Sequence, residues 1–136
     1  MIERLTIYTD GCSKGNPGPA AIGVAAYKDG ERIPFFTLSD EIGITTNNQA
    51  EYRALIKALE YAVNLKVVEV EIRSDSELMV NQMNGSYRVK NADLKPLHIE
   101  AKRLAGHIEK FNIKAVPREY NRQADKLANM ALDKSK

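Results

Sequence analysis

Leu5 and Ile7 alternate with Thr6 and Tyr8, the period-two pattern of a strand with one buried face. The run stops at Asp10, because Gly11-Cys12-Ser13-Lys14-Gly15-Asn16-Pro17-Gly18-Pro19 is too rich in glycine and proline to continue it. Residues Ala20 to Lys28 and Arg32 to Leu38 form two further strand-like runs. Lys28-Asp29-Gly30-Glu31 joins them as a hairpin signal, so the first three strands read as an antiparallel meander. Gly43 to Asn48 is polar and turn-forming. The period then lengthens to that of a helix, with Ala50, Ala54, Leu55, Ala58, Leu59, Ala62 and Leu65 on one stripe. Val67 to Arg73, rich in β-branched residues, reads as a strand reached over a helix and so parallel to the first. A helix from Ser76 to about Met83 follows, ended by Asn84-Gly85-Ser86. After a polar link, Pro96 suits the early turn of a longer helix running to about Lys110, which would hold both His98 and His107. Ile113 to Val116 is the last strand, closed by Pro117. The final helix starts near Asn121, with Ala124, Leu127, Ala128, Ala131 and Leu132 on its apolar side. The class is α/β.

The chain has 136 residues, 43% of them hydrophobic, enough for one core and too few for two comfortable domains, so residues 1–136 are read as a single domain. No run has the length of a membrane-spanning helix, and Met1-Ile2-Glu3-Arg4-Leu5 opens a strand and not a signal peptide. The expectation is a soluble, cytoplasmic monomer without membrane contact. Cys12 is the only cysteine, which excludes an internal disulfide and suits a small structural residue. With 20 Lys and Arg against 18 Asp and Glu, net charge identifies no partner. Arg88, Lys90, Lys95, Lys102, Arg103, Lys110 and Lys114 thread the second half, either as solvated positions or as a phosphate-contacting surface.

Four acids carry the candidate chemistry, and each has an ordinary alternative. Asp10 lies at a strand's carboxyl end, where ligands of open α/β sheets sit, yet Asp-Gly is a common turn pair. Glu51 follows Asn48 by three, as in a capping box, but shares the buried stripe of Leu55, Ala58 and Ala62. Asp75 mirrors Asp10 at the end of another strand and could equally cap the next helix. Asp125 stands in a first helical turn, where the helix dipole favours an acid. The topology nevertheless brings all four toward one end of one sheet. Crowded carboxylates repel and take up protons unless cations lie between them. Oxygen-only ligands select hard ions, Mg²⁺ or Mn²⁺, and two such ions about 4 Å apart support in-line phosphodiester displacement.

Thr9-Asp10-Gly11 with Gly15-Asn16-Pro17-Gly18-Pro19, Thr46-Asn47-Asn48-Gln49-Ala50-Glu51, Ser74-Asp75-Ser76 and Asn121-Arg122-Gln123-Ala124-Asp125 together resemble type 1 ribonuclease H, in the family's order from about residue 5 to 133. The resemblance implies a ribonuclease H-like fold, a five-stranded mixed sheet with its first three strands antiparallel, flanked by helices. It implies a two-metal endonuclease cutting the RNA strand of an RNA–DNA hybrid, with Asp10, Glu51, Asp75 and Asp125 as metal ligands. It also assigns the hybrid to Gly11, Cys12, Gly15, Asn16, Asn47 and Asn48, with Thr46 seating a DNA phosphate. Physical reasoning suits these residues to that task. Telling RNA from DNA requires touching the 2′-hydroxyl, and Gly15 lets main chain come close while Asn amides both donate and accept.

Two departures from the family pattern stand out. Many members place a histidine in the loop before the last catalytic acid, and here Pro117-Arg118-Glu119-Tyr120-Asn121 has none, as in a sub-group lacking it. Glu119 is the candidate substitute, and His98 and His107 read as solvated or structural. Some members also insert a basic, Trp-rich helix that grips DNA; this chain has no Trp, and only Tyr87, Arg88, Lys90 and Lys95 are available there. Two rival readings are a catalytically silent nucleic-acid-binding domain of the same fold and a domain binding a small phosphorylated ligand. A pure binder of polyanions gains nothing from four acids, and the glycine loop lacks the Gly-x-x-x-x-Gly-Lys-Ser/Thr spacing.

Overall fold

The computed structural model describes residues 2–134. The strands are β1 (Arg4–Ser13), β2 (Gly18–Lys28), β3 (Phe36–Thr45), β4 (Glu69–Ser74) and β5 (Lys110–Ala115), and the helices are α1 (Asn47–Asn64), α2 (Glu77–Met83), α3 (Leu94–Ala105) and α4 (Arg122–Lys134). The strands form one sheet in the order β3-β2-β1-β4-β5. Antiparallel pairing joins β1 to β2 and β2 to β3, whereas β4 runs parallel to β1 and β5 parallel to β4. This is the expected mixed sheet. Its parallel half needs crossovers, which α1 supplies between β3 and β4, and α2 with α3 between β4 and β5.

The two faces of β1 are covered by different helices. Burial of Ala50, Ala54, Leu55, Ala58, Leu59 and Ala62 sets α1 against Leu5 and Ile7 of β1 and Val24 of β2. On the opposite face lies α4, with Ala124, Leu127, Ala128, Ala131 and Leu132 buried. Two glycines allow both approaches. A Cβ on Gly11 would overlap the Ala50 main chain, and one on Gly23, which pairs with Asp10, would overlap the Ala124 carbonyl and lie 2.7 Å from the Ala128 nitrogen. Behind α1, the Tyr52 hydroxyl donates to Gln82 Oε1 at 2.7 Å and lies 3.3 Å from His98 Nδ1, tying α1, α2 and α3 together. His98 is therefore structural. Among the described residues no helix is long and apolar enough to cross a membrane.

Several boundaries differ from the sequence reading. The third strand is not Arg32 to Leu38 but Phe36–Thr45. The register slips between Ala20 and Ala21, leaving Ile42 unpaired beside Gly43 at φ 83°, so the glycine that signals a turn belongs to a bulge. The Lys28–Glu31 turn forms, with Gly30 at φ 76°, but it opens a longer connection to Phe35. The third helix ends at Ala105, with Gly106 as its C-cap, and does not reach Lys110; His107 lies beyond it. The last strand begins at Lys110, where alternation across a charged face hid it.

Substituting Gly23→Ala drives a methyl group into the backbone of α4, the helix that carries Asp125. A loss on the order of 2 kcal/mol is expected in urea unfolding. A Gly85→Ala control, at a site with open space but φ 83°, is expected to lose only about 1 kcal/mol.

Candidate active site

The β1–β4 pairing ends at Thr9 and Ser74, and the next residue on each strand is an acid, Asp10 and Asp75. Both therefore emerge side by side where the two parallel strands separate. Glu51 reaches the same place from α1, its Oε1 accepting a 2.8 Å hydrogen bond from the Gly11 amide. Carboxylate oxygens of Asp10, Glu51 and Asp75 all lie within 4.8 Å of one another. Asp125 comes from the first turn of α4, lines the same cleft and hydrogen-bonds Asp10. It is also held from its own side of the sheet: Asn129 Nδ2 donates to its Oδ1 at 3.2 Å, and Arg118 Nη2 lies 3.9 Å away.

The ordinary roles open to Glu51 and Asp75 are filled by other residues. The N-cap of α1 is Thr46, whose hydroxyl accepts from the Gln49 amide at 3.2 Å while the Gln49 side chain turns back to the Thr46 amide. Gln49 also accepts from the Thr45 hydroxyl. The capping box thus sits two residues before the expected Asn48–Glu51 pair, which frees Glu51. Ser76 caps α2, accepting from the Met79 amide at 3.2 Å, which frees Asp75. Asp125 keeps the favourable position at a helix N-terminus.

Burial and mutual repulsion govern the protonation of this cluster. Burial, then the charges of Asp75 and Asp125 and a hydrogen bond with Asp125, push the Asp10 carboxyl up to about 8; Arg118 opposes this. Glu51 is raised well above its usual range by burial and by the charges of Asp10 and Asp75, against the pull of the Gly11 amide. Burial raises Asp75 as well, while Arg118 and a hydrogen bond from Asn121 counter it. These groups resist becoming jointly anionic, and a cation between them removes the conflict. An all-oxygen donor set of this kind could hold a hard divalent ion, so the residues present fit Mg²⁺ or Mn²⁺. Cys12 is a bystander, since burial and the nearby acids push its thiol up to about 11 and keep it protonated.

The surrounding cleft has a volume of about 740 Å³, and Gly11, Cys12, Asn47 and Asn48 line it. Gly15, Asn16 and Thr46 are placed around this cleft without being among its lining residues. Asn16 Oδ1 accepts from the Asn47 amide at 3.0 Å, and Asn47 Oδ1 accepts from the Ser13 amide at 3.0 Å, so these two residues lace the β1–β2 loop to the start of α1. Gly15, at φ 96°, lets that loop turn back. Glu119 is exposed and outside the lining; its neighbour Arg118 is part of it. Sequence reasoning missed Arg118, Asn121 and Asn129. Asn121 is almost fully buried, and its Nδ2 donates to the Thr9 carbonyl at 2.9 Å, fixing the loop beside Asp10. The available signal was Arg118's place as the one cation in the segment Pro117–Asn121.

The family model described as "Reverse transcriptase-like" matches residues 8–131. The bifunctional protein Rv2228c of Mycobacterium tuberculosis is 42% identical over 130 residues, 96% of this chain and 36% of the relative. Ribonuclease HI of Halobacterium salinarum is 44% identical over 131 residues, 96% of this chain and 65% of the relative. The chain thus spans about a third of the first relative's length and just under two thirds of the second's. The crystal structure of LC11-RNase H1 in complex with an RNA/DNA hybrid superimposes with a TM-score of 0.90 at 44% identity, covering 96% of this chain and 98% of that one. Shared sequence and shared architecture extend over nearly the whole chain, which belongs to the ribonuclease H family.

Proposed function

We propose that the chain hydrolyses the RNA strand of RNA–DNA hybrids, with two divalent cations, Mg²⁺ or Mn²⁺, held by Asp10, Glu51, Asp75 and Asp125. The observation that carries this reading is the meeting of the Asp10, Glu51 and Asp75 carboxylates within 4.8 Å at the end of two parallel strands. Such a pair of ions, when bound, supplies a water activated near neutral pH and charge stabilisation at the leaving oxygen. The chain's own residues orient this centre. The Gly11 amide fixes the Glu51 carboxylate, and Asn129 fixes that of Asp125. Gly11, Cys12, Asn47 and Asn48 on the cleft wall offer amide groups to 2′-hydroxyls across the shallow minor groove of the hybrid. Family relatives support the assignment of substrate, one of them solved with an RNA/DNA hybrid bound.

A gel assay with labelled hybrid, duplex RNA and duplex DNA tests this directly. Cleavage is expected only in the RNA strand of the hybrid and only with Mg²⁺ or Mn²⁺ present; metal-independent cleavage, or none, rejects the assignment. Asp10→Asn is expected to lower the rate by more than about a hundredfold while hybrid affinity changes little.

The raised carboxyl pKa values give a second test, in stability. Between the unfolded value of 3.8 for Asp10 and its folded value of about 8, the folded chain keeps a proton that the unfolded chain has released. Stability of the metal-free protein therefore falls as pH rises across that window, by up to about 1.4 kcal/mol per pH unit for each such proton. The melting temperature without metal is expected to be higher at pH 5 than at pH 8. Mg²⁺ should raise it more at pH 8 than at pH 5, and Asp10→Asn should flatten the metal-free profile. A pH-independent melting temperature contradicts the coupled cluster.

A further inference from the structure

Of the residues lining the cleft, only Lys14 and Arg118 carry a positive charge, against the five acids Asp10, Glu51, Asp75, Glu77 and Asp125. Lys14 Nζ is 3.9 Å from Asp133 at the rim. Arg118 alone of the two acts electrically on both Asp10 and Asp75, lowering each. Its backbone is firmly set. It opens a 3-10 turn, Arg118–Tyr120, and its carbonyl accepts from the Asn121 amide at 2.9 Å, while the Asn121 side chain is clamped to Thr9. Its side chain is the reverse: 80% exposed, with a loose 3.9 Å approach to Asp125 as its one ion pair among the described residues. An anchored base under an exposed guanidinium is a fork with most of its donors available.

Charge accounting says what such a fork faces. Four carboxylates and two divalent cations sum to zero, so the phosphodiester arrives with its negative charge uncompensated. During hydrolysis the water oxygen bonds to phosphorus as the P–O3′ bond breaks. The bonding pair passes to O3′, which takes one water proton, leaving a 3′-hydroxyl and a 5′-phosphate. Negative charge grows on the phosphoryl oxygens along the way, and nothing in the carboxylate cluster meets it. Arginine is suited to that position, since it presents paired donors to phosphate oxygens and stays charged.

We infer that Arg118 is a catalytic residue that leaves its loose pairing with Asp125 to bind a non-bridging oxygen of the phosphate being cut. The inference rests on the nuclease reading above. It assigns to Arg118 the part in this short loop that the sequence suggested for Glu119.

The test uses Arg118→Ala and Arg118→Lys, whose melting temperatures should match the parent because the side chain is exposed. With saturating hybrid and Mg²⁺, Arg118→Ala is expected to lower kcat by roughly ten- to a hundredfold, with Arg118→Lys recovering part of the loss. In the inactive Asp10→Asn background, adding Arg118→Ala should reduce the slope of log affinity against log salt by about 0.9, the loss of one phosphate contact. Mg²⁺ binding to the free protein, followed by calorimetry, should be unchanged or tighter, since a cation that competes for Asp125 is gone. An unchanged kcat, an unchanged salt slope, or a kcat loss explained by weaker Mg²⁺ binding overturns the inference; the last would make Arg118 only a positioning residue for Asp125. If the parent protein cuts no hybrid, the nuclease reading fails on its own, and the salt slope still reads whether Arg118 meets a phosphate.

Discussion

The hydrogen bond from the Gly11 amide to Glu51 joins the sheet to the cleft, and much of the architecture serves to make it possible. A buried carboxylate needs a donor, and the nearest available one is main chain on β1. For that amide to reach, α1 must press on β1 closely enough that a Cβ at position 11 would collide with Ala50. The alanines along α1 permit that closeness, and Leu55, Leu59, Leu5 and Ile7 hold it by apolar burial. One polar contact thus depends on the packing of the larger core cluster, which converts helix–sheet complementarity into the position of a charged group.

The opposite face repeats the arrangement with other parts. Gly23 admits α4, α4 carries Asp125, and Asn129 one turn on secures its carboxylate. Asp10 lies between the two systems. It pairs with Gly23 on the α4 side, yet its carboxylate also meets Glu51, delivered from the α1 side, and Asp75 from the neighbouring strand. Its carboxyl is accordingly raised by burial, by Asp75 and by Asp125 together. A fold that tolerates this in the metal-free state gives up stability at neutral pH, which the two apolar layers offset. The destabilised spot is confined to the end of the sheet, where strands part and backbone pairing has already finished.

Much of this was legible in the sequence. Period two and period three-point-six patterns locate every strand and helix to within a few residues, because each element buries one face. The acids were legible as a set, since Asp10 and Asp75 close strand patterns and Glu51 sits on an apolar stripe. Three things were hidden. The third strand was misplaced because Gly43 signals a turn locally, and only pairing with β2 turns it into a bulge. The helix caps were misassigned by two residues because Thr46–Gln49 and Asn48–Glu51 both satisfy the same spacing, and only the backbone decides between them. Asn121 and Asn129 were silent because their partners, Thr9 and Asp125, are chosen by tertiary contact or by helical geometry around a charge whose place was not yet known.

Asn121 shows how the last loop is tied to the chemistry without taking part in it. Its amide reaches across 112 positions of sequence to the Thr9 carbonyl, one residue before Asp10, and it also hydrogen-bonds Asp75. The segment between β5 and α4 is therefore pinned at the point where β1 and β4 separate, and not merely strung between its two neighbours. That pin fixes the start of α4 and so the height of Asp125 above the sheet. It also fixes the turn from which Arg118 rises. A short loop without a histidine can in this way present a charged side chain at a defined distance from the acids. Its backbone is ordered by a buried amide, while its side chain stays in water, free to exchange one anionic partner for another.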